Sequence, residues 1–246
     1  RKILKSLLLL IAFVLMVIAL ARPQWNPRTR QIKRQGRDVA ILLDTSRSML
    51  AEDLRPNRLE RAKLSIRDLM ERLSGDRIGL ITFAGSSTVK CPLTQDYAFL
   101  RLALEQITTE STDRGGTNIG DAIRKASQEV FDEQLKEFKD IILITDGDDL
   151  EGSFPIEAAK QAGEKGIRII AVGLGDPTEG ARIPISAADG SKTFLKYEGK
   201  EVWAKLDDKT LRKVAAATPG GAYIPVQTGA FDLGGLYEDL VARAEK

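Results

Sequence analysis

The chain has 246 residues, 43% of them hydrophobic and 29% charged, a globular composition with room for one large domain or two small ones. It has no histidine and one cysteine, Cys91, which excludes a Ser-His-Asp triad, a Cys-His pair, His-ligated zinc or haem, an internal disulfide and a cysteine-cluster metal site. The net charge of +2 hides an asymmetry: residues 1–37 hold nine Lys/Arg and no acid, so 38–246 carries a net −7 and gives no basis for nucleic-acid binding.

Residues 3–21 form an apolar stretch interrupted only by Lys5 and Ser6, about 28 Å long as a helix at ~1.5 Å per residue, close to a bilayer core. Lys5 can snorkel, and Trp25 stands where an interfacial anchor would lie. Three readings compete. A signal peptide would use Ala19-Leu20-Ala21 as its small-x-small site. A buried core helix is rarely apolar all round. The expectation is a transmembrane helix over 1–21, meeting lipid through 3–21. A basic juxtamembrane linker over 22–37 follows, with Pro23 and Pro27. More basic residues follow the segment than precede it, which by charge alone puts the body in the cytoplasm.

From 38 onward, short apolar runs alternate with amphipathic stretches. Asp38–Leu43 is a β-branched, continuously apolar run that predicts a strand buried on both faces. Leu59–Leu73 places Leu59, Ala62, Ile66, Leu69, Met70 and Leu73 on one helical face. Arg77–Ala84 is a second strand, and Thr88–Leu93 a third, antiparallel to it. Asp96–Ile107 and Asn118–Gln134 are helical, with Asn118 as N-cap and Asp121 three residues on. Asp140–Thr145 repeats the buried-strand pattern. Ile156–Glu164 is a helix stopped by Gly166, and Ile167–Gly173 another buried strand. Residues 176–205 break the alternation with Pro184, Gly190 and Gly199, and read as a hairpin insertion. Asp207–Ala217 is a helix, Ala222–Val226 a strand and Phe231–Ala244 a closing helix. The pattern predicts an α/β fold, a doubly wound and mostly parallel sheet, as one domain over 38–246.

In such sheets ligands lie beyond the carboxyl ends of the strands. After the first strand stands Asp44-Thr45-Ser46-Arg47-Ser48; after the strand at 140–145 stands Asp146-Gly147-Asp148-Asp149; between them, before a helix, lies Gly115-Gly116-Thr117-Asn118. These loops offer two carboxylates and three hydroxyls, all hard oxygen donors. That set suits Mg²⁺, with Mn²⁺ or Ca²⁺ also compatible. Asp and Ser after a strand are also ordinary turn and cap residues, so D-x-S-x-S alone says little. Its placement, with G-G-T and T-D-G after later elements, is what makes it informative.

Asp44-Thr45-Ser46-Arg47-Ser48, Gly116-Thr117 and Thr145-Asp146-Gly147 resemble the metal-ion-dependent adhesion site of von Willebrand factor type A domains. The resemblance covers nearly all of 38–246. It implies a six-stranded sheet with one antiparallel edge strand, matching Thr88–Leu93. It implies Ser46, Ser48 and Thr117 as hydroxyl ligands, Asp44 and Asp146 as ligands directly or through water, and an open position for a carboxylate from a partner protein. The apolar segment ending Ala-Leu-Ala-Arg-Pro-Gln, Leu54-Arg55-Pro56-Asn57-Arg58-Leu59 and Asp76-Arg77-Ile78-Gly79-Leu80 are similar to the bacterial aerotolerance-type (Bat) membrane proteins. That group carries further membrane helices before and after the domain. It implies an inner-membrane location, a domain on the periplasmic side against the charge count, and a MoxR-type AAA+ ATPase as partner.

The expected function is therefore a membrane-anchored, metal-dependent protein-binding module and not an enzyme. A Mg²⁺-dependent phosphohydrolase is the alternative, but Ser46 stands where its acid/base carboxylate should be. A metal-free scaffold is another. Gly190-Ser191-Lys192-Thr193 has a phosphate-loop look, with Ile185 at the first glycine position. Asp148 and Asp149 could support the site as neighbouring acids or be solvated loop residues. Arg47 and Asn118 are candidates for contacting the partner. Cys91 reads as a packed residue, and Tyr197 and Trp203 as packing or partner contacts.

Overall fold

A computed structural model describes residues 1–21, 36–73, 75–111, 115–131, 138–149, 152–186, 191–226 and 232–244. The chain divides into two units, Arg1–Gln35 and Gly36–Lys246. In the first, α1 (Lys2–Ala21) is one unbroken helix. Its segment Ile3–Leu20 has a mean hydropathy of 2.9, and none of its residues is buried. A helix apolar on every side has its apolar surface satisfied by a hydrocarbon phase or another helix. Of the expected linker over 22–37, residues 22–35 lie outside the described residues.

The second unit opens with β1 (Asp38–Asp44) and α2 (Arg58–Arg72), whose N-cap Asn57 accepts from the Glu60 amide at 2.8 Å. Then come β2 (Arg77–Phe83), β3 (Ser87–Thr94), α3 (Tyr97–Glu105), α4 (Ile119–Lys125), β4 (Lys139–Thr145), α5 (Pro155–Glu164) and β5 (Ile167–Leu174). Three short antiparallel pairings follow: β6 (Ala181–Arg182) with β11 (Trp203–Ala204), β7 (Pro184–Ser186) with β8 (Lys192–Phe194), and β9 (Lys196–Tyr197) with β10 (Lys200–Glu201). The chain closes with α6 (Asp208–Ala216), β12 (Ala222–Val226) and α7 (Leu233–Ala244).

Six strands form one sheet in the order β12-β5-β4-β1-β2-β3. All neighbours are parallel except β2 and β3, as the sequence predicts. β1, β4 and β5 are buried along their whole length, which is why they read as unbroken apolar runs. Side chains alternate across the sheet. Val39, Ile41 and Leu43 pack with Ile66 and Leu69 of α2, Leu100 of α3 and Tyr237 of α7. Ala40 and Leu42 pack with Ile123 of α4, Ala159 of α5 and Leu211 of α6. Both edge strands carry a proline, Pro92 in β3 and Pro225 in β12. A proline cannot donate to a further strand, which guards the sheet edge.

The helix expected over Asn118–Gln134 is shorter. α4 passes into a π-helical turn at Ala126–Val130, and Phe131 is extended. The Ser127 hydroxyl donates to the Ile123 carbonyl at 2.7 Å, a back-bond that competes with regular helix geometry; residues 132–137 lie outside the described residues. The closing helix begins at Leu233, where Asp232 accepts from the Gly235 amide at 2.9 Å; Phe231 lies outside the described residues.

At the edge of the sheet where β1 and β4 begin, Asp140 is fully buried. Its carboxylate accepts from Arg37 at 2.8 Å, from Arg168 at 2.8 and 2.9 Å and from the Tyr237 hydroxyl at 2.7 Å. Burial pushes its pKa up, but the Arg168 and Arg37 hydrogen bonds outweigh this and hold it below the ordinary carboxylate range. Arg37, placed by sequence in the linker, is buried here and anchors the entry to β1.

Candidate metal centre

The sheet has a topological switch point between β1 and β4. The chain leaves β1 toward β2 and β3 on one side, and β4 toward β5 and β12 on the other. Two connections therefore diverge above adjacent strand ends, the place where an open α/β sheet forms a binding crevice. Asp44 ends β1 and Asp146 directly follows β4, so topology alone brings these carboxylates together.

Local turns aim the remaining donors. Asp44 Oδ1 accepts from the Ser46 amide at 2.8 Å, folding the chain back over the carboxylate. A 3-10 turn at Arg47–Leu50 then sets the Ser46 and Ser48 hydroxyls 2.9 Å apart. The nearby Ser46 hydroxyl favours the ionised form of Asp44, and the Ser48 hydroxyl that of Asp146. Asp44, Ser46, Ser48 and Asp146 thus cluster at one end of β1 and β4. The Thr145 hydroxyl donates to Asp44 Oδ2 at 2.5 Å and accepts from the Gly147 amide at 3.0 Å. Gly147 has φ +80°, and a Cβ there would stand 2.8 Å from the Asp207 carbonyl, so the loop after Asp146 requires glycine.

Thr117 reaches the same edge. The Asn118 amide donates to the Ala84 carbonyl at 2.7 Å, while the preceding Phe83 carbonyl accepts from the Thr45 amide at 2.8 Å. Thr117 is buried. Asn118 accepts from the Asp121 amide at 3.0 Å, so it caps α4 as expected. Asp149 is half-buried and accepts from the Ile119 amide at 2.9 Å, tying the loop after β4 to the start of α4. Asp148 and Arg47 are exposed.

Arg58 is the residue the sequence reading missed. It is fully buried, bonds Asp146 Oδ2 at 2.9 Å, Asp53 at 2.9 and 2.7 Å, and the Ala204 carbonyl at 3.2 Å. An arginine at the first position of a helix normally faces water, and only the facing Asp53 hints otherwise.

Burial, then the charge of Asp146, pushes Asp44 up to about 7. Asp146 is also raised by burial, despite Arg58. One guanidinium shared between Asp53 and Asp146, with Asp44 buried beside them, leaves the centre short of positive charge. Among the described residues no cluster of three His, Cys, Asp or Glu could hold a metal. A cation here would rely on Asp44 and Asp146 with hydroxyls completing the set. Hard oxygen donors around two buried carboxylates fit a hard divalent cation.

A family model described as von Willebrand factor type A domain matches residues 39–148. BatB from Bacteroides thetaiotaomicron is 35% identical with a TM-score of 0.78, over 86% of this chain and all of that one. An aerotolerance-related membrane protein from Bacteroides fragilis is 34% identical with a TM-score of 0.76, over 85% of this chain and 99% of that one. Proximal thread matrix protein 1 from the mussel byssus, with a zinc-occupied adhesion-site motif, shares the fold at 22% identity and a TM-score of 0.60, over 85% of this chain and 46% of that one. A UPF0353 protein of Mycobacterium avium is 28% identical over 89% of this chain, which spans 64% of that relative's length. The chain belongs to the von Willebrand factor type A domain family, among its Bat-like membrane proteins.

Proposed function

We propose that the chain is a membrane-anchored, cation-dependent protein-binding module. Its cation is held by Asp44, Ser46, Ser48, Thr117 and Asp146, with Mg²⁺ the first candidate and Mn²⁺ or Ca²⁺ compatible. The observation that carries this reading is the pair of fully buried carboxylates, Asp44 and Asp146, brought together at the switch point beside the Ser46 and Ser48 hydroxyls. When bound, the cation supplies a Lewis-acidic position for a carboxylate from a partner protein. The residues of this chain orient the cation. Thr145 fixes Asp44, Arg58 fixes Asp146, and Asp149 holds the Thr117 loop against the loop after β4. No residue is assigned a catalytic role. By family resemblance, α1 anchors the chain in a bacterial inner membrane, the domain lies on the periplasmic side, and a MoxR-type AAA+ ATPase is a partner.

The test is calorimetric titration of Mg²⁺ and Mn²⁺ into residues 36–246 and into its Asp44→Ala variant. Saturable one-site binding that the variant loses is the expected result. A folded, intact unit with no cation binding at millimolar metal leaves a metal-free scaffold in which Arg58 is the counter-charge of Asp146 among the described residues.

A further inference from the structure

The pairings between β6 and β11 are attached to the proposed cation site. Ile183 and Ala204 bury against Ala51, with Leu50 and Leu195 packed around them, so the insertion rests on the turn carrying Ser46 and Ser48. Arg58 joins the same elements from below, through Asp146 and the Ala204 carbonyl. Between insertion and site lies a cavity of about 800 Å³. Ser46 and Arg47 line it beside the site, Leu50 and Ile185 give it apolar surface, and Lys192 stands on the insertion wall. Glu110 stands on the wall formed by the loop after α3.

Arg47 and Lys192 put two positive charges and Glu52 one negative charge on the cavity beside the site and the insertion, while the loop after α3 contributes only Glu110. Arg47 is exposed and pairs with no acid among the described residues. Lys192 is exposed and pairs with Glu52 at 2.6 Å, both side chains half or more exposed. An exposed pair of this kind contributes little and exchanges readily for a better partner. On the opposite wall Glu110 repels acids.

We infer that this groove takes an extended acidic segment of a partner protein: one carboxylate on the cation, an apolar side chain over Leu50 and Ile185, and a second carboxylate on Arg47 and Lys192. The inference rests on the cation-dependent reading above and adds the partner's chemistry and direction. The second acid lies toward the insertion, and Glu110 disfavours the reverse placement.

The experiment uses the full chain in detergent with Mg²⁺ and labelled, end-blocked peptides of sequence Gly-Asp-Leu-Glu-Gly, Gly-Asp-Leu-Lys-Gly and Gly-Asp-Gly-Gly-Gly, followed by fluorescence polarisation. The Asp-Leu-Glu peptide binds tightest. Arg47→Glu and Lys192→Glu each weaken it about tenfold, the loss of one charge-assisted contact, and both side chains are exposed, so folding is unaffected. Chelation with EDTA and Asp44→Ala abolish binding of every peptide. If cation binds but the Arg47 and Lys192 variants bind as the parent does, or the three peptides bind alike or not at all, the groove is not the docking site and the cation reading stands. If peptide binding survives both EDTA and Asp44→Ala, the cation reading itself fails.

Discussion

Arg58 holds the centre together when no cation is present, because it is the positive group bonded to buried Asp146. Removing one partner of a buried ion pair typically costs about 3–5 kcal/mol. Arg58→Met therefore lowers urea-unfolding stability by about that amount without metal, and by clearly less with saturating Mg²⁺, which replaces the lost charge. An equal loss in both conditions means no cation reaches Asp146. Asp44 makes a linked prediction. Its folded pKa lies near 7, above the ordinary carboxylate value. A raised folded pKa means that the contribution of Asp44 to stability is fully present below about pH 4 and is lost as pH climbs through about 7 without metal. Mg²⁺ removes that loss, since it favours the ionised carboxylate. Thermal melts across pH 4–8, with and without Mg²⁺, check the sign. The five proposed ligands stand out in the sequence because each lies in a loop just after an apolar strand or just before a helix. Arg58 does not, because its burial depends on Asp53 and Asp146, and only the folded chain brings Asp146 to it.

Helix placement was legible wherever apolar spacing sets it, as in α2, where one face carries the residues that pack on the sheet. Where α4 ends was not, because the Ser127 back-bond acts against a spacing that continues apolar. Close packing was also hidden. A Cβ on Gly120 of α4 would stand 1.9 Å from the Ser153 carbonyl, so the backbone contact between α4 and the loop before α5 depends on glycine. Gly120→Ala destabilises the domain by about 1–3 kcal/mol, despite alanine's better helix propensity, as denaturant unfolding will read. The Asp140 cluster was invisible because its members lie far apart in sequence. Its lowered pKa means that the contribution is present above the ordinary carboxylate range and lost as pH falls below about 4. Asp140→Asn should therefore loosen α7 at neutral pH, seen as faster hydrogen exchange in Leu233–Ala244. Unchanged exchange there would show that apolar packing alone holds the helix.

At the scale of the whole chain, the sheet was readable because its strands are buried on both faces and alternate with amphipathic helices. That rhythm fixes the class, and the short link between β2 and β3 identifies the antiparallel edge. The three small pairings between β5 and α6 could not be read residue by residue, since two- and three-residue strands leave no periodic signal. The two units make a separate prediction. The full chain should remain in the membrane fraction after alkaline carbonate extraction, whereas residues 36–246 should be released. The central claim, that Asp44, Ser46, Ser48, Thr117 and Asp146 hold a divalent cation, is tested most directly by anomalous scattering from Mn²⁺-soaked crystals of residues 36–246. The account predicts one strong peak among these five side chains, at about 2.0–2.3 Å from the nearest oxygens. A peak elsewhere, or none there with the Arg58–Asp146 pair intact, would contradict it.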